Sequence, residues 1–198
     1  EGQQQGDPLG PLMFSNAVQH LLESLGSELT VGYLDDLTLG GLQSQVAKDV
    51  QRVVKVGDEL GLTLNIGKCE LIANTGVSVS DPLLRRFQRV DVGDSTLLGA
   101  PLFPGPILDT FWSERCDEMS RAVDRLSKIA SQDALILLRA SFSAPRVQHL
   151  MRCSPSVDNR NLVTFDDLLR SALTRITNCN LSDSQWLQLS LTIRECGL

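Results

Sequence analysis

Two adjacent carboxylates, Asp35 and Asp36, are the residues best placed to do chemistry. They interrupt the apolar stretch Val31-Gly32-Tyr33-Leu34-Asp35-Asp36-Leu37-Thr38-Leu39. Leu29, Val31 and Tyr33 alternate with Thr30, Gly32 and Leu34, and Leu37 and Leu39 resume the alternation. That is the period of a strand, so the pattern predicts a β-hairpin over 29–39 with Asp35-Asp36 at its turn. Like charges ~4 Å apart repel by about 1 kcal/mol in water, and more where water is scarce. A divalent cation in front of the pair removes that penalty. Carboxylate oxygens are the donors Mg²⁺ prefers, and Mg²⁺ commonly spans protein carboxylates and substrate phosphates. The plainer alternative is an ordinary Asp-Asp turn, since Asp favours turns on its own account.

The elements that must position this pair can be read on either side of it. Gln5-Gly6-Asp7-Pro8 opens a helix, with Asp7 as N-cap and Pro8 at the first helical position. Apolar residues then recur at helical spacing to Leu25, and Gly26 is the stop. After Gly40-Gly41, the residues Leu42, Val46, Val50, Val53 and Leu60 form the stripe of an amphipathic helix, with Lys48, Asp49, Gln51, Arg52 and Asp58 on its solvated face. Residues 62–65 and 69–73 read as two short strands around Asn65-Ile66-Gly67-Lys68, and 82–87 as a short helix. Lys68 alone reads as a surface lysine in a turn. Ser95 to Ala100 reads as a strand and a turn. Pro101-Leu102-Phe103-Pro104-Gly105-Pro106 is the best boundary in the chain.

Beyond it the pattern is helical. Leu108, Trp112, Cys116, Met119, Val123, Leu126 and Ala130 make one apolar stripe, read as core, with Asp117–Arg121 and Asp124–Lys128 as i,i+4 pairs. Further helices are expected over 133–142, 145–151, 162–177 and 183–190, the last opened by a Ser182/Gln185 capping box. The fold class expected is α+β: residues 1–100 as sheet and helices, 101–106 as linker, and 107–198 as a helical bundle.

Composition narrows the functional classes. With 198 residues, of which 42% are hydrophobic, the chain can bury a core. No run of about 18 apolar residues marks a membrane span. The net charge of −6 is awkward for a binder of nucleic acid. The imbalance lies in residues 1–100, with 7 basic and 13 acidic residues, against 11 of each in 101–198. The five cysteines (69, 116, 153, 179 and 196) are widely spaced, without a Cys-x-x-Cys pair. They read as reduced, mostly buried thiols of an intracellular protein, cytoplasmic or nuclear. His20 and His149 lack partners at metal-ligand spacing and read as ordinary helix residues.

Four motifs, taken together, resemble a known family. Tyr33-Leu34-Asp35-Asp36 resembles the Tyr-x-Asp-Asp box of reverse transcriptases. Gln5-Gly6-Asp7-Pro8-Leu9-Gly10-Pro11-Leu12 is similar to a segment of non-LTR retrotransposon polymerases. Gly61-Leu62-Thr63-Leu64-Asn65-Ile66-Gly67-Lys68 resembles another, and Leu97-Leu98-Gly99 is similar to the primer-grip turn. They occur in the family's order over about the first hundred residues. The resemblance implies the C-terminal part of a polymerase palm followed by a thumb, from a non-LTR retroelement. It implies Mg²⁺-dependent nucleotidyl transfer on an RNA template and DNA primer, with dNTP as substrate and two ions in the intact enzyme.

In that scheme Asp35 binds metal and Asp36 supports the site. Tyr33 and Leu34 shape the primer end, and Gln5 and Gly6 meet the nascent pair. Lys68 assists the departing pyrophosphate, and Leu98 and Gly99 hold the primer. Gln4 departs from the family, many of whose members carry a basic residue there. A further metal-binding Asp strand and the fingers normally precede Gln5, so this chain is expected to be a fragment, inactive alone. Three other readings are a decayed retroelement remnant, a domesticated RNA- or protein-binding module, and a viral RNA-dependent RNA polymerase. The last is disfavoured by Tyr33-Leu34-Asp35-Asp36 in place of the usual Gly-Asp-Asp.

Overall fold

The computed structural model describes residues 6–74 and 76–191. It is α+β and divides into two compact units, Glu1–Val90 and Asp91–Leu198.

The first unit begins with α1 (Gly10–Glu23). Asp7 does not cap it directly. Its carboxylate accepts from Leu9 N–H at 2.8 Å, and Leu9 is the N-cap, because Pro8 sits in the turn ahead and Pro11 takes the helical entry. The chain then forms β1 (Leu29–Tyr33) and β2 (Asp36–Gly40), an antiparallel hairpin in register from Leu29 opposite Gly40 to Tyr33 opposite Asp36. Next come α2 (Gln43–Glu59) and a single 3₁₀ turn at Ile66–Lys68. The strand expected at 62–65 is absent, because the chain leaves α2 through a Gly61 turn in which Leu62 N–H bonds back to Gly57. The strand that does form, β3 (Glu70–Ile72), pairs in parallel with β4 (Gln88–Val90) instead. Residues 82–87 supply only a 3₁₀ turn, Leu84–Arg86, whose start is capped by Asp81 Oδ1 accepting from Leu83 and Leu84. Ala47, Val50 and Leu84 form the small core, with Leu39, Val46, Leu64 and Phe87 against it.

The second unit opens with a two-residue hairpin, β5 (Thr96–Leu97) and β6 (Ala100–Pro101). Its helices are α3 (Pro106–Leu126), α4 (Ser131–Leu137), α5 (Ala144–Cys153), α6 (Asn161–Thr177) and α7 (Asp183–Ser190). The stretch 101–106, expected as a linker, runs through β6 into the start of α3. Between α4 and α5 the turn Leu138–Phe142 has π geometry, with Ser143 N–H reaching Leu138 O at 2.8 Å. The expected stripe is the core: Leu108, Trp112, Cys116, Met119, Val123 and Leu126 are all buried, while Ala130 lies past the end of α3 and is exposed. The capping box forms at α7. The expected i,i+4 pairs of α3 do not form. Asp124 reaches across to Arg175 of α6 at 2.9 Å, and Glu118 is shared by Arg115 and Arg146. Burial pushes Glu118 up, yet hydrogen bonds from Arg146 and Arg115 hold it below the usual carboxylate range.

No helix among the described residues is long and apolar enough to cross a membrane. The cysteines are not mostly buried. Cys116 is, Cys69 is half-buried, and Cys153 and Cys179 are exposed because they end a helix and follow one; Cys196 lies outside the described residues.

Candidate functional site

The carboxylate pair sits at the tip of the β1–β2 hairpin. Tyr33 faces Asp36 across the ladder, so the two turn residues are Leu34 and Asp35, one place earlier than the expected turn. Asp36 is the first residue of β2. Both carboxylates are exposed, and among the described residues neither has a hydrogen-bond or ion-pair partner. Leu34 holds the tip in a left-handed conformation, φ 54°. For a residue with a branched side chain this costs about 1–2 kcal/mol. Its side chain is 47% exposed, so burial does not compensate for the strain. Such strain tends to gather where a ligand uses the backbone shape.

The hairpin has one covered face and one bare face. Gly32 lies against α1, where a β-carbon would stand 2.8 Å from Leu22 Cδ1. A side chain there would force the end of the Leu22 side chain aside. Leu39 on the same face reaches the small core. Thr30, opposite Leu39 on this covered face, has its Oγ1 buried without a partner among the described residues, whereas on the other face Leu29, Val31 and Tyr33 are all exposed. The alternation seen in the sequence is real, but its apolar phase points outward. β1 and β2 have only each other as neighbours among the described residues. Two-stranded sheets of this size are marginal by themselves.

Asp35 and Asp36 offer hard oxygen donors, unengaged and open to solvent, and so fit Mg²⁺ as a partial ligand set. No group of three His, Cys, Asp or Glu residues gathers among the described residues. Lys68 ends the 3₁₀ turn, exposed and, among the described residues, without an ion pair, and no bond joins it to either carboxylate. Gly6 is exposed with φ 95°, and Gln5 lies outside the described residues. A groove of about 670 Å³ lies along α2, lined by Ser24, Lys48, Asp49 and Arg52 among others, and contains none of the expected site residues.

Leu98 and Gly99 belong to the second unit. They form the two-residue turn of β5–β6, with φ 48° and 77°, the pattern of a type I′ turn. Leu is a poor residue for its first position, and here it is 46% exposed. Leu98→Asn is therefore expected to stabilise this unit by about 1 kcal/mol, since Asn-Gly is the favoured pair for the turn. Thermal denaturation followed by circular dichroism checks this; an unchanged or lower midpoint would contradict it.

Leu98 O is 3.1 Å from His149 Nε2, and His149 Nδ1 is 3.6 Å from Cys153. Sequence reasoning passed over this group, although His149-x-x-x-Cys153 has the i,i+4 spacing that brings side chains together on a helix. Compared with known proteins, the chain matches no family model, and no curated sequence or solved structure is significantly similar to it.

Proposed function

We propose that this chain is part of an RNA-directed DNA polymerase of non-LTR retroelement type, with residues 1–100 contributing to the palm and 107–198 to the thumb. The observation that carries the reading is the hairpin tip. Two carboxylates, unpartnered among the described residues, stand exposed on a strained turn, beside an apolar sheet face left bare. No feature of the fold itself needs that arrangement, whereas a metal site completed by further chain and substrate phosphates does.

In this reading Asp35 and Asp36 bind the metal edge of the site. Two Mg²⁺ ions, when bound, stabilise the attacking 3′-oxygen and the leaving oxygen. Tyr33 and Leu34 flank the primer end, Gln5 and Gly6 the nascent pair, and the Leu98-Gly99 turn the primer strand. Lys68 donates a proton toward the leaving pyrophosphate. The template is RNA, the primer DNA, and the substrate a dNTP. Because the tip supplies only two carboxylates, the chain alone is expected not to extend a primer.

The test uses Mn²⁺ as a paramagnetic stand-in for Mg²⁺. Amide resonances of residues 33–37 should broaden at low Mn²⁺, and Asp35→Asn should abolish the effect. Adding an RNA–DNA primer–template with dNTP should shift that broadening to lower Mn²⁺ in the unsubstituted chain. If nucleic acid and dNTP leave the metal response unchanged, the polymerase reading fails. Primer extension by the chain alone, lost in Asp35→Asn, would overturn the expected inactivity.

A further inference from the structure

The His149–Cys153 pair belongs to none of the roles above, and its geometry assigns it a chemistry of its own. Both residues lie on α5, one turn apart, and both are exposed. The tautomer follows from the partners. Leu98 O is a carbonyl and can only accept, so His149 Nε2 must carry a proton and donate to it at 3.1 Å. In the neutral ring Nδ1 is then a lone pair, and it faces the Cys153 thiol at 3.6 Å. A thiol, a base within reach of its proton, and a third group orienting that base make the arrangement of an activated nucleophile.

We infer that Cys153 is a site of oxidative modification, a thiol activated by His149 toward hydroperoxides.

The reaction balances as follows. The thiol proton passes to His149 Nδ1, and sulfur attacks the distal oxygen of the hydroperoxide. The S–O bond forms as the O–O bond breaks. The departing oxygen takes the proton from His149 and leaves as water or an alcohol. Sulfur is oxidised by two electrons to a sulfenic acid, and the peroxide is reduced by two.

The chain carries its own comparators. Cys179 is also exposed, but its thiol faces Thr177 O at 3.4 Å, a carbonyl that can hold the proton without taking it. Cys69 bonds to Asn65 O, and Cys116 is buried. Burial pushes both of these thiols up, and Asp117 adds to the effect at Cys116, so both are disfavoured as thiolates.

The experiment treats the full chain with limiting hydrogen peroxide at pH 7 in the presence of dimedone, which traps sulfenic acids, and follows each cysteine by peptide mass spectrometry. Cys153 should be trapped at least about tenfold faster than Cys179. His149→Asn should bring Cys153 down to the rate of Cys179 and leave Cys179 unchanged. Equal rates at Cys153 and Cys179 in the unsubstituted chain would overturn the inference without any variant. So would a His149→Asn chain, folded by circular dichroism, whose Cys153 keeps its full rate.

Discussion

Trp112→Ala is expected to destabilise the helical unit by about 3–5 kcal/mol, the largest single effect in the chain. Trp112 has no exposed surface and lies in the second turn of α3, within its buried stripe. Its Nε1–H donates to Ser156 Oγ at 3.0 Å, and its ring meets Phe165 edge-on, with centroids 6.3 Å apart at 71°. Truncating a buried Trp typically costs about 3–5 kcal/mol through lost transfer energy and the cavity left behind. Whole domains of this kind are stable by roughly 5–15 kcal/mol, so one substitution removes much of the margin. Trp112→Phe keeps most of the volume and should cost less, about 1–2 kcal/mol, chiefly through the lost bond to Ser156. Urea denaturation followed by far-ultraviolet circular dichroism reads both. A Trp112→Ala midpoint close to that of the unsubstituted chain would show that α3 is not the centre of this core.

The second large effect is expected at Asp49, in the other unit. This carboxylate is 3% exposed, on the face of α2 that the sequence pattern assigns to solvent. It accepts from Gly26 N–H at 3.0 and 3.2 Å, from Ser27 Oγ at 2.6 Å and from Gln45 Nε2 at 3.0 Å. It thereby ties the loop between α1 and β1 to α2. Asp49→Ala leaves those donors without their acceptor and is expected to cost about 3 kcal/mol.

The pH dependence follows from the same contacts. Burial alone pushes Asp49 up, but Ser27, Gly26 and Gln45 together outweigh it and hold the group below the usual range. The folded value therefore lies below the unfolded one. The stabilisation is fully present above the unfolded value, near pH ~4, and fades as pH falls through the folded value. Protection factors of the α2 amides, corrected for intrinsic exchange, should fall across that acid window, and Asp49→Asn should flatten the response. An acid response of α2 that survives Asp49→Asn unchanged would assign it to another carboxylate.

What the sequence by itself determined is local. The hairpin over 29–39, the amphipathic α2, the long apolar stripe of α3 and the Ser182 capping box all follow from periodicity and from residues within a few places of one another. Such patterns are set by backbone geometry, so local spacing is enough to read them. The carboxylate pair was legible for the same reason, although its turn lies one residue earlier than the alternation suggested.

Only the tertiary structure decided the pairings across distance. Asp49 reads as one more polar residue until Gly26 and Ser27, 23 and 22 residues away, close over it. Asp124 has a lysine at helical spacing, yet reaches Arg175, 51 residues on, because α6 packs along α3 and brings a guanidinium to it. His149 reads as an ordinary helix residue until Leu98 O, 51 residues away, fixes its tautomer and leaves its free nitrogen facing Cys153. Likewise β3 takes the distant β4 as its parallel partner, and the apolar phase of β1 faces outward because α1 and α2 cover the other side. The physical reason is common to all of these. A side chain's periodicity says which face of its own element it occupies, whereas what stands opposite that face depends on how elements far apart in the chain pack.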